Sequence, residues 1–142
     1  MRRLLLVALA ALVLAPAGSA ASHAPCALVT SDDAGKALGV KVTAKGKSQT
    51  LGLYKSCTYS KSGKTLTVLV RTIDKPTFEK SAKKNPPPVF PIPGVGDEAF
   101  SAGGGTALLV WKKGTELVFT FIGVNPVVQT QKDVANAALK RL

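Results

Sequence analysis

Asp97 and Glu98 are adjacent acids in a chain of formal charge +11. They follow Pro91-Ile92-Pro93-Gly94-Val95-Gly96, whose prolines and glycines impose an irregular backbone. Two carboxylates can share acid and base roles in hydrolysis, so a hydrolase using Asp97 or Glu98 is one reading. Alternatively, acid beside glycine-shaped backbone can hold a cation or a basic partner. Neighbours at the start of a strand point to opposite faces, which prevents joint action on one substrate atom and favours simple pairing with Lys112 and Lys113 across a sheet. Trp111, Lys112 and Lys113 add an aromatic ring and two cations, and with the acid pair they form the candidate binding set. A second acid pair, Asp32-Asp33, sits where a helix starts and is explained by the exposed amides there.

The remaining chemical inventory names no catalytic set. His23 is the only histidine. Were the chain cut after Ala20, the new amine, two backbone amides and the His23 imidazole could wrap Cu(II) or Ni(II) in a square plane; a plain tail histidine is the alternative. No cofactor is implied by any motif. Gly103-Gly104-Gly105 lacks the Gly-Lys-Ser/Thr ending and following helix of a phosphate loop. Cys26 and Cys57 are the only cysteines and lack Cys-x-x-Cys spacing, so in an oxidising compartment they read as a disulfide.

Residues 1–20 have the layout of a secretory signal peptide: Arg2 and Arg3, an apolar run from Leu4 to Leu14, then small residues. Cleavage there predicts a secreted or periplasmic protein without a membrane anchor, a flexible tail over 21–25 and one domain over 26–142. The mature charge would be +9, from seventeen basic and eight acidic residues. Fifteen of the seventeen are lysines, which suit general attraction to anionic surfaces better than the forked contacts of specific nucleic-acid recognition.

The elements that must position these residues follow from periodicity and punctuation. Thr30 with Asp33 predicts a capped helix stopped by Gly39. Val40 to Ala44 alternates weakly, Leu51 to Ser60 and Thr65 to Arg71 read as strands, and Ser62-Gly63 reads as a hairpin turn. A helix over 76–84 follows, with Phe78 and Ala82 facing the sheet. Pro86-Pro87-Pro88 is read as a rigid connector. Thr106 to Lys112 and Glu116 to Ile122 form the next strands, with Leu117, Phe119 and Phe121 on one face. Asn125-Pro126 then starts a C-terminal helix with Val127, Val134, Ala138 and Leu142 on one side. The expected fold is α+β: a five- or six-stranded antiparallel sheet, two or three helices packed mainly on one face, and a possible internal duplication about residues 91–100. An all-β barrel is the alternative.

Cys26-Ala27-Leu28-Val29-Thr30, Cys57-Thr58-Tyr59 and Pro93-Gly94-Val95-Gly96-Asp97-Glu98-Ala99-Phe100 together resemble a family of small exported bacterial domains, many of them lipoproteins, with no assigned function. The resemblance implies an α+β fold in the cell envelope and supplies no catalytic residues. This chain departs from many such members in lacking a lipid-acceptor cysteine. The leading expectation is a monomeric, non-enzymatic domain that binds a protein or an anionic envelope component through its lysines. A carrier of a small apolar ligand is a further alternative.

Overall fold

The computed structural model describes residues 23–85 and 87–142. Along the chain run α1 (Pro25–Leu28), α2 (Ser31–Leu38), β1 (Lys47–Leu51), β2 (Tyr54–Lys61), β3 (Lys64–Thr72), α3 (Lys75–Ala82), β4 (Phe90–Pro91), β5 (Glu98–Ala102), β6 (Ala107–Lys112), β7 (Thr115–Ile122) and α4 (Val128–Leu139). The strands form one open antiparallel sheet in the order β1-β2-β3-β7-β6-β5-β4. The α+β class holds, with seven strands instead of five or six and four helices instead of two or three among the described residues.

Short sequence signals account for the differences. Val40 to Ala44 contains no strand; the chain first extends at Lys47, and Gly52-Leu53 closes a hairpin inside what reads as a single strand. The proline-rich stretch includes two residues, Phe90 and Pro91, that pair with Phe100 and Ser101 as a minimal edge. Pro25, expected in the tail, is buried and belongs to the one-turn helix α1. Helix α4 starts at Val128, not at Pro126, and its buried positions are Gln131, Val134, Ala135, Ala138 and Leu139, whereas Val127 is exposed. The signal-peptide region and Ala21 and Ser22 lie outside the described residues.

Alternation along the strands separates two apolar layers. Leu66, Val68 and Val70 of β3, Leu108 and Val110 of β6 and Leu117, Phe119 and Phe121 of β7 face one way and pack with Leu28, Leu38, Val134 and Ala138 from α1, α2 and α4. Burying a residue such as Phe119 completely contributes on the order of 2–3 kcal/mol. The opposite face carries α3, whose Phe78 and Ala82 pack with Leu109, Ala102 and their neighbours. Three helices thus share a face and one crosses to the other. The two strand sets, β1 to β3 and β5 to β7, run outward from the central β3/β7 pair in similar fashion. The helix preceding each set lies on a different face, so the repetition stops at the strands.

Local chemistry fixes the ends. Thr30 and Asp33 bond reciprocally as a capping box, and Gly39 ends α2 in the left-handed conformation. The Asp74 side chain accepts from Thr77 N at 2.9 Å to cap α3. Cys26 and Cys57 form a disulfide that ties α1 to β2. Tyr59 donates to the carbonyl of Val29 beside it. At the other end of the chain, Arg141 donates to Leu28 O at 2.8 Å and pairs with Asp33 at 2.6 Å, so the C-terminus closes over the first two helices.

Candidate functional site

The Gly94–Asp97 loop owes its shape to its own residues. Gly94 and Gly96 both have positive φ, 78° and 58°. At Gly96 a side chain would also strike Trp111 O and Val110 Cγ1, each 2.8 Å from the position of a Cβ. Val95 between them is buried. Asp97 N donates to Trp111 O at 2.9 Å, and Asp97 Oδ2 accepts from Lys113 N at 2.9 Å. Asp97 therefore clasps the β6–β7 hairpin through a backbone amide, which Lys113 presents from a positive-φ turn position.

Glu98 points to the other face, as alternation requires. Its nearest cation is Lys75 of α3, with Nζ at 3.9 Å from Oε2, an oxygen that is shut off from solvent and accepts no hydrogen bond among the described residues. Trp111 lies opposite Glu98 in the ladder, and its Nε1 donates to Ile73 O at 3.0 Å, fixing the ring under the start of α3. The five residues expected to act together are thus divided: Asp97, Lys112 and Lys113 by the α4 face and turn, Glu98 and Trp111 beneath α3.

Around Asp97 the structure assembles a basic hollow. Gly96, Asp97, Lys112, Asn136, Leu139 and Lys140 line a concavity of about 440 Å³. A second, of about 350 Å³, shares Lys112 and Leu139 and adds His23, Lys113, Thr115 and Leu142. Lys132 extends the same side, its Nζ lying 3.8 Å from where a Cβ on Gly94 would stand. Lys132, Asn136 and Lys140 are four residues apart and form one stripe of α4. Lys132 and Lys140 are separated by about 12 Å along the helix axis. Among the described residues Lys112, Lys113, Lys132 and Lys140 make no ion pair.

The stripe on α4 escapes a reading by sequence because helix and hairpin are brought together only by the fold; the four-residue spacing of Lys132, Asn136 and Lys140 is the one local signal. His23 stands at the margin of the hollow. The amino-terminal chelate expected for it needs Ala21 and Ser22, which lie outside the described residues, and no group of three or more metal-ligating side chains occurs among those described.

A second polar assembly joins Glu98 and Trp111 to three residues outside the expected set, Tyr54, Arg71 and Glu116. Strand register places Tyr54, Arg71, Glu116, Trp111 and Glu98 in one row across five strands on the α3 face. Glu116 is 1% exposed. It pairs with Arg71, accepts from Tyr54 OH at 3.1 Å and receives a longer contact from Ser81 Oγ of α3 at 3.4 Å. Arg71 also lies over the Tyr54 ring, 4.5 Å from its centroid. Burial, then the negative charge of Glu116, pushes the Tyr54 phenol up to about 12, against the opposing effect of Arg71. Ser81 donates mainly to Phe78 O at 2.9 Å, so it is engaged by its own helix. The row joins α3 to the sheet.

Among the described residues no helix is long and apolar enough to cross a membrane. No family model, no curated protein and no solved structure matches the chain.

Proposed function

We propose that this is an exported binding domain that holds an anionic polymer of the cell envelope along the stripe formed by Lys112, Lys132 and Lys140, with Asn136 between the two helix cations. The observation that carries the reading is that Lys112 and Lys140 line one concavity and Lys132 continues the same side along α4, none of the three with an ion-pair partner among the described residues. Its spacing suits repeated negative charge. A chain bearing phosphate, sulfate or carboxylate at intervals can meet Lys132 and Lys140, about 12 Å apart along the helix axis, in turn.

Asp97 takes part as a scaffold. Its carboxylate holds the β6–β7 turn that presents Lys112 and Lys113. The disulfide fits assembly in an oxidising compartment. The opposed directions of Asp97 and Glu98 leave a hydrolase using Asp97 or Glu98 to rely on one of them alone.

Retention on immobilised dextran sulfate and on cell-envelope preparations tests the proposal. The expected result is binding that persists at physiological ionic strength and weakens as salt rises. Elution well below physiological salt would remove electrostatic polymer binding as the function.

A further inference from the structure

The two edges of the sheet differ in what they offer. β4 is two residues long, Pro91 has no N–H, and Pro88 and Pro93 flank it, so this edge cannot template a further strand. β1 is five residues long, every one exposed, and among the described residues no element pairs with its outer side. Its two-residue hairpin places Leu51 opposite Tyr54 as the closing pair. In such a hairpin the closing pair exchanges both backbone bonds and alternate pairs repeat this. Leu51, Gln49 and Lys47 therefore turn their backbone groups towards β2, while Ser48 and Thr50 direct N–H and C=O to the free side.

Charge chooses the occupant. Between Ala34 and Ile73 there is no Asp or Glu, against seven lysines and Arg71. Arg71 is met by Glu116 and Lys36 by Asp32. Lys41, Lys45 and Lys47, exposed on the approach to β1 and on the strand itself, have no ion-pair partner among the described residues. The other end of the edge is apolar, with Leu51 50% and Leu53 84% exposed. A second copy of this basic chain would bring like charge to like charge.

We propose that β1 accepts an extended acidic polypeptide segment of another protein as an eighth strand. Backbone pairing at Ser48 and Thr50 supplies affinity, and Lys47 and Leu51, which share a face of the sheet, supply selectivity. An antiparallel segment places an apolar residue beside Leu51 and, four residues later, an acidic one beside Lys47. This surface is separate from the stripe on α4 and does not depend on it.

The probe is a seven-residue capped peptide with leucine near its amino end and glutamate at alternate positions towards its carboxyl end, titrated into isotope-labelled protein and followed by amide signals. The expected result is saturable shifts and slowed hydrogen exchange at Ser48 and Thr50. Thr50→Pro, which removes an outward N–H while leaving the ladder to β2 intact, should abolish them. Lys47→Gln should weaken binding about fivefold, and Lys112→Gln with Lys140→Gln should leave it unchanged. Circular dichroism reports whether Thr50→Pro folds, and Lys47→Glu provides an independent test by favouring the same peptide with lysine in place of glutamate. Absence of shifts at Ser48 and Thr50 up to millimolar peptide overturns the proposal. So does equal binding of acidic and basic peptides to the native chain, or a peptide-free dimer that Thr50→Pro dissociates.

Discussion

Glu116 occupies a position where its charge is removed from water, on a strand whose other face is the apolar core, and Arg71, Tyr54 and Ser81 are what make that position tolerable. Truncating one member of a buried pair strands the other charge, so Glu116→Ala should cost about 3–5 kcal/mol in urea unfolding; a change below about 1 kcal/mol would show that solvent reaches Arg71 freely. The same surroundings predict alkaline behaviour. Both tyrosines are raised above the ordinary phenol value, Tyr54 to about 12 and Tyr59 first by burial and then by Asp33. A phenol whose folded value is raised contributes stability that is fully present below pH 10 and is lost as pH climbs towards 12. Ultraviolet titration should show less than half of the tyrosinate at pH 10, together with a falling melting temperature above it. Asp33 works in the opposite direction: although burial alone would raise its carboxyl, hydrogen bonds from Thr30 and the Arg141 guanidinium bring it below 3.8, so its contribution disappears under acid conditions. Its capping role was legible from Thr30-x-x-Asp33 because a cap is local. The Arg71 and Glu116 pair spans 45 residues and depends on strand register, which periodicity does not fix.

At the scale of elements, the strongest patterns were those with a single physical cause. β3 and β7 read correctly from alternation, and α2 from its cap and its glycine stop. β1 was hidden because Lys47-Ser48-Gln49-Thr50 has no apolar face, and an exposed edge needs none. The Pro91–Phe100 stretch shows how a motif dense in glycine and acid serves the backbone around it. Gly96 is required by a positive φ and by contact with the β6 backbone, while Asp97 is occupied by Lys113 N. Gly96→Ala should therefore cost about 1–3 kcal/mol of strain and displacement, more than Gly104→Ala, where φ is +66° but no atom lies within 4 Å. Thermal melts of the two variants side by side make the comparison; equal losses would mean that the approach to Trp111 O is relaxed. The disulfide ties elements 31 residues apart, and the paired Cys26→Ser, Cys57→Ser variant should lose about 3.5 kcal/mol on the chain-entropy account, read from denaturant midpoints.

For the whole molecule, composition established an excess of lysine and left open where it would matter. Folding answers with three distributions: a cluster at Lys80, Lys83 and Lys84 at the end of α3, a cationic approach to the β1 edge, and the stripe of Lys112, Lys132 and Lys140, of which Lys112 and Lys140 line a concavity beside the Gly94–Asp97 loop. The polymer-binding account assigns function to the last of these by shape as well as charge. Its most direct test compares two triple variants that remove the same charge from different places. In salt elution from dextran sulfate, Lys112→Gln, Lys132→Gln, Lys140→Gln should release at markedly lower salt than the native chain. Lys80→Gln, Lys83→Gln, Lys84→Gln should remain close to native. Equal displacement of both triples would contradict the account, because net charge rather than the α4 stripe would then be sufficient to explain retention.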